Sequence, residues 1–138
     1  MKRVNISSGA PWEATVGYSR AVRIGDLVEI AGTTAVDDEG QVVGAGSPYT
    51  QAQFALVKIG RALAQAGAGF EDVIRTRIFV TDIARWEEVG RAHGEVFGDV
   101  RPASTLVAVA SLVRSDLLVE IEATAVVPGG RVGGVHKS

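Results

Sequence analysis

A single α/β (α+β) domain, with two helices on one face of a mixed six-stranded sheet, is the fold this sequence predicts. Two stretches, around 52–66 and 83–97, carry apolar residues at helical i, i+3, i+4, i+7 spacing. Short apolar or alternating runs of strand length flank and separate them. The resulting order, ββ(β)αβαββ, fits both helices on the same side of one sheet. At 138 residues the chain has room for one domain that buries about two thirds of its unfolded surface.

Residues 20–32, "RAVRIGDLVEIAG", form two apolar runs split by Gly25-Asp26, a hairpin signal. The stretch 37–47, "DDEGQVVGAGS", is turn-rich. Ser47 is placed to cap a helix that Pro48 begins, because proline's missing N–H costs nothing at the first helical position. Ala52, Ala55, Leu56, Ile59, Ala62, Leu63 and Ala66 make its apolar stripe, Phe54 and Val57 fall off it, and Gly67 ends it. In "DVIRTRIFVT", residues 72–81, alternation puts Ile74, Thr76, Ile78 and Val80 on one face and Val73, Arg75, Arg77 and Phe79 on the other. Asp82 is the predicted cap of a second helix with Ile83, Trp86, Val89, Gly90, His93 and Phe97 on one stripe, closed by Gly98. Strands follow at about 103–110 and 117–127. Residues 1–127 make up the domain, and the glycine-rich 128–138 is expected to be a mobile tail.

Two helices cover one sheet face, yet the closing strands are apolar on both, with Ser104, Leu106 and Ala108 opposite Thr105, Val107 and Val109. A second copy of the chain is the expected cover, so a homo-oligomer is predicted.

Fourteen Lys and Arg against sixteen Asp and Glu give a net charge of −2, which supplies no long-range attraction for nucleic acid. Nucleic acid is not an expected partner. No apolar stretch approaches the roughly 18 residues of a membrane span, so no membrane association is expected. Met1-Lys2-Arg3 leads into strand-like sequence without an apolar signal core, and there is no cysteine, so a cytoplasmic location is expected. There is no phosphate-loop lysine motif. His93 and His136 have no metal-ligand spacing, so neither a metal nor a cofactor is expected. His93 reads as a hydrogen-bonded packing residue.

The chemistry-bearing feature is "VEIE", residues 119–122. Strand alternation projects Glu120 and Glu122 together from an apolar run. Two readings stand side by side. Arg75 and Arg77 share that i, i+2 spacing and can close an ion-pair patch with the glutamates, or a carboxylate sits in a cleft and handles water or a proton. Ser104 has no histidine and acid at positions recognisable as a nucleophilic triad.

The blocks "GYSRAV" (17–22), "AGTTAV" (31–36), "DVIRTRIFVTDI" (72–83), "RPASTLVAV" (101–109) and "VEIEATAV" (119–126), in this order, resemble the Rid family, the YjgF group also called endoribonuclease L-PSP or translation-inhibitor proteins. The resemblance spans nearly all of the chain to Val127. It implies a chorismate-mutase-like fold and a homotrimer with a small-molecule ligand in each intersubunit cleft. It also implies hydrolysis of 2-imino acids and enamines to 2-oxo acids and ammonia.

On this resemblance Glu120 positions the attacking water, while Tyr18 and Gly32 line the cleft. The arginine that clamps the substrate carboxylate falls at Ser104 of Pro102-Ala103-Ser104, so the clamp is missing. A serine cannot supply its bidentate charged contact. The usual cysteine is Leu106, the serine before the glycine is Ala31, and the helix asparagine is Gly90, which implies a roomier and less polar pocket. Arg101, Arg114, Arg20 and Arg77 are the candidates to supply a cation instead. Arg77 is the first choice, because it can share a sheet face with Glu120. The expected function is hydrolysis of an imine, an enamine or a related metabolite, poor on ordinary 2-imino acids. The alternative is a trimer that binds or senses a metabolite without turnover, and RNA cleavage or translation inhibition ranks third.

Overall fold

The computed structural model describes residues 1–129. One sheet contains β1 (Arg3–Ile6), β2 (Ala21–Ile24), β3 (Leu27–Thr33), β4 (Val73–Val80), β5 (Ala103–Ala108) and β6 (Val119–Val126), in the spatial order β1-β2-β3-β6-β4-β5. All neighbours are antiparallel except β4 and β5. A parallel pair needs a crossover, and α2 (Trp86–Phe97) supplies it. α1 (Pro48–Gln65) and α2 pack together on one face of the sheet, burying Leu56, Ile59, Leu63, Val89 and Phe97 against Val28, Ile78, Ile121 and Ala123. This is the mixed six-stranded α+β domain the sequence predicts. The expected tail falls almost entirely beyond the described residues.

Local chemistry accounts for the elements. Gly25 turns the β2–β3 hairpin at φ +59°, a conformation glycine adopts without steric cost. The Ser47 hydroxyl accepts from Thr50 N at 3.1 Å, and the whole expected stripe of α1, from Ala52 to Ala66, is buried. Gly60 lets the Phe70 ring lie against α1, since a Cβ there would come within 2.8 Å of Phe70 Cζ. Phe70 in turn meets Phe97 edge-on, with centroids 5.4 Å apart.

Gln51 is a polar core residue that the apolar stripe does not include. It is fully buried, donates to Asp116 O at 3.0 Å and Gly44 O at 3.3 Å, and accepts from Leu118 N at 2.8 Å. One amide thus ties two loops to α1. Gln51→Ala is expected to cost about 2–4 kcal/mol, because buried backbone groups lose their partners. The denaturant midpoint measures it.

Two expectations need correction. Val73 is buried and Ile74 is 51% exposed, the reverse of what was needed for Ile74 to share a face with Thr76, Ile78 and Val80. The β4–β6 register shifts between Val73 and Arg75, and such an irregularity inverts the alternation on one side of it. In α2, Val89, Ala92 and Phe97 are buried while Ile83 and Trp86 are about half exposed. Asp82 accepts from Ala84 N and so caps a separate 3₁₀ turn, Ile83–Arg85, which takes Ile83 out of the helix, while Trp86 is the exposed first residue of α2.

The sheet's outer face, away from the helices, is mixed rather than apolar. Ile24, Leu27, Val107 and Val126 are exposed there beside Glu29, Arg75, Arg77, Glu120 and Glu122. β5 forms one edge of the sheet, and of residues 101–110 only Pro102, Leu106 and Val109 are half-buried.

Candidate functional site

Alternation along β6 sends Val119, Ile121, Ala123 and Ala125 into the core and Glu120 and Glu122 to the outer face. The expected four-member ion patch reduces to one pair. Arg77 reaches Glu122 at 3.5 Å, with both side chains more than a third exposed, a geometry worth at most about 1 kcal/mol. Arg75 instead donates to Thr105 Oγ1 at 2.7 Å.

Glu120 stands apart, half-buried and opposite Phe79 in the β4–β6 register. No hydrogen bond or ion pair holds its carboxylate among the described residues. Burial pushes its pKa above the usual carboxylate value, the Arg20 charge pulls it partly back, and Glu122 adds to the rise. The seat beneath it is built by a bulge. Ile30 pairs with Ala123 and Thr33 with Ile121, so Ala31 and Gly32 face the single residue Glu122. A Cβ on Gly32 would lie 3.0 Å from Glu120 Cδ and closer still to Oε2, so a side chain there would displace the carboxylate from this position.

Arg20 is the cation of this site. It donates from Nη2 to Gly32 O at 2.5 Å, and its Nε is buried with no hydrogen-bond partner among the described residues. Burial lowers its pKa, while Tyr18, Glu13 and Glu120 act to raise it. Glu13 is the held counter-charge. It accepts from Ser8 Oγ at 2.5 Å and Ser8 N at 3.0 Å; burial pushes its pKa up, but these bonds and Arg20 outweigh that and leave it below the ordinary value. Tyr18, more than a third exposed, follows the π-helical turn Glu13–Gly17, and its N–H donates to Glu13 O at 3.0 Å. Arg77, the first choice on sequence, does share the outer face with Glu120, but its guanidinium is on Glu122. The signal for Arg20 is its i, i+2 spacing from Tyr18. Glu13 carries no comparable signal.

Ser104 and Leu106 lie on the other face. They pair with Thr76 and Ile78, whose side chains are buried under α2. Buried Thr76 donates to Ser104 Oγ at 2.8 Å and contacts His93 Nε2 at 2.9 Å, while Leu106 packs against the core. A Cβ on Gly90 would touch only the Trp86 ring, at 3.7 Å, so the helix wall there is open. Within one chain the predicted residues therefore divide into two half-sites. Tyr18, Gly32, Arg77 and Glu120 are on one side of the sheet, and Ser104 and Leu106 are on the other. Among the described residues no cluster of three or more His, Asp or Glu could hold a metal ion, and no helix is long and apolar enough to cross a membrane.

A mixed six-stranded sheet under two helices, with a half-buried carboxylate seated on a glycine bulge, defines a class of small α+β proteins. Residues 8–127 match the family model described as endoribonuclease L-PSP. The chain belongs to that family, the YjgF, RutC or Rid group. It resembles the crystal structure of a YjgF-family member from Mycobacterium tuberculosis, with 51% identity, a TM-score of 0.83, and coverage of 91% of this chain and 100% of that one. An uncharacterized protein of Streptomyces coelicolor is 42% identical over 120 residues, 87% of this chain and 89% of that protein. The 3-aminoacrylate deaminase RutC of Acinetobacter baylyi is 30% identical over 124 residues, 90% of this chain and 97% of that enzyme.

Proposed function

We propose that the protein hydrolyses the C=N bond of an imine or enamine-derived metabolite in clefts between the subunits of a homotrimer with the chorismate-mutase-like fold. The observation that carries this reading is Glu120: a half-buried carboxylate with raised pKa and no fixed partner, beside the Arg20 charge. Such a group suits proton transfer. Glu120 takes a proton from water as the oxygen attacks the imine carbon, giving a carbinolamine. It passes that proton to nitrogen, then takes the carbinolamine hydroxyl proton and delivers it to nitrogen as C=O forms and the C–N bond breaks, so imine and water become a carbonyl compound and ammonia. An enamine enters the same path after protonation at carbon. Tyr18 and Ser104 supply neutral hydrogen bonds.

The division of the residues between two faces supports a cleft completed by a second copy, whose Ser104 and Leu106 would face Glu120, Tyr18 and Gly32 of the first. RNA cleavage, which the family description names, fits less well. The outer face carries Glu29, Glu120 and Glu122, and the chain is net negative. Binding of a metabolite without turnover is favoured by the uncharged Ser104, which removes the charged clamp of a deaminase cleft.

Subunit exchange tests the assembly. Glu120→Ala and Ser104→Trp are each expected to be inactive trimers by sedimentation. Mixed equally and allowed to exchange, they should recover about one quarter of wild-type ammonia release, because one cleft in four is built from two intact halves. A monomeric protein, or a mixture as silent as its components, would refute the shared cleft.

A further inference from the structure

The Thr76 hydroxyl has one proton, which goes to Ser104 Oγ at 2.8 Å. With the Thr76 proton directed to Ser104, the 2.9 Å contact with His93 Nε2 takes the histidine tautomer that carries its N–H there. Thr76 is wholly buried, so no water competes for these positions. The His93 ring is held by Phe97, with centroids 4.7 Å apart, and burial lowers its pKa, keeping it neutral with a single N–H. Every donor in the chain His93–Thr76–Ser104 thus points outward. Ser104 receives a hydrogen bond from Thr76, its own proton meets no acceptor among the described residues, and the residue is exposed.

We infer that Ser104 is a hydrogen-bond donor subsite for an uncharged carbonyl oxygen, such as that of an amide, ester or lactam, and that His93 acts through Thr76 as the positioning residue that sets its direction. The inference deepens the proposed function, since it rests on the Ser104 half facing the ligand cleft. Successive donors polarise one another along such a chain. A single neutral hydroxyl suits a neutral acceptor, whereas a carboxylate loses hydration here without gaining a charged partner.

The test uses NMR of the full chain labelled uniformly with ¹⁵N, with His136→Gln assigning the histidine signals, and two probes, 2-oxobutanamide and 2-oxobutanoate, titrated separately. His93 should show its proton on Nε2, and the amide should bind about tenfold more tightly than the acid. Thr76→Val, which keeps the shape and removes the hydroxyl, should bring the two probes close to parity, as should exposed Ser104→Ala. Thr76→Ser should restore the preference. A proton on Nδ1 would reverse the chain and overturn the inference. So would a preference that survives Thr76→Val, or the failure of both probes to perturb the Ser104 amide. Glu120→Ala should leave the His93 tautomer intact. A protein silent on every imine but with the amide preference preserved therefore refutes the hydrolysis and not the subsite.

Discussion

Glu120→Gln is expected to lower the rate of ammonia release from imines and enamines by about 10²–10⁴-fold, the range a positioned acid–base group contributes. The trimer should remain intact, because the side chain has no hydrogen bond or ion pair to lose among the described residues. The pH dependence has a definite sign. Glu120 must be ionised to take a proton from water, and its pKa is raised by burial, so activity should fall on the acid side at a higher pH than an ordinary carboxylate would give. The same shift acts on stability. A folded-state pKa above the unfolded value means that Glu120 contributes stability fully below the unfolded pKa and loses it as pH rises through the folded pKa. Near neutral pH the ionised, half-buried carboxylate is therefore a burden. Glu120→Gln should raise stability there by about 0.5–2 kcal/mol while silencing the reaction. Steady-state ammonia assays and thermal melts from pH 4 to pH 8, roughly the span bracketing the shift, measure both effects. Full activity in the glutamine variant would show that Glu120 is not the proton-handling group.

Ser104→Arg should produce the largest gain of function. A buried charged pair broken on one side costs about 2–5 kcal/mol, so restoring a guanidinium opposite a substrate carboxylate should raise kcat/KM for 2-imino acids by roughly 30-fold to several thousandfold. The expected wild type is slow on these substrates, because serine carries no charge and the neighbouring arginines Arg75 and Arg77 lie on the opposite face, engaged with Thr105 and Glu122. The arginine variant gives up the hydrogen bond from Thr76, which belongs to the subsite and not to the fold's core. 2-Oxo acid release from imines generated from several amino acids is the measurement. A wild type already as fast as Ser104→Arg would mean that a cation in the other half-site, Arg20, holds the carboxylate.

The sequence by itself determined whatever depends on the local repeat of the chain. The α1 stripe is buried residue for residue, Gly25 turns its hairpin, Ser47 caps its helix, and Glu120 and Glu122 project together because side chains two apart on a strand must. The five ordered blocks carried the family in the same way, being read along the chain. Tertiary structure alone decided which face each set takes and what meets it there. A register shift put Val73 in the core and Ile74 outside, and the 3₁₀ turn after Asp82 took Ile83 off its helix stripe. The Ala31–Gly32 bulge made the seat for Glu120 and brought Arg20, not Arg77, to bear on its charge. Strand pairing also separated Ser104 from Glu120 by the thickness of the sheet and joined it to Thr76 and His93, which lie 28 and 11 residues away in sequence. Periodicity says which side chains share a face. Only the pairing register, fixed by contacts between residues distant in sequence, says which way that face points.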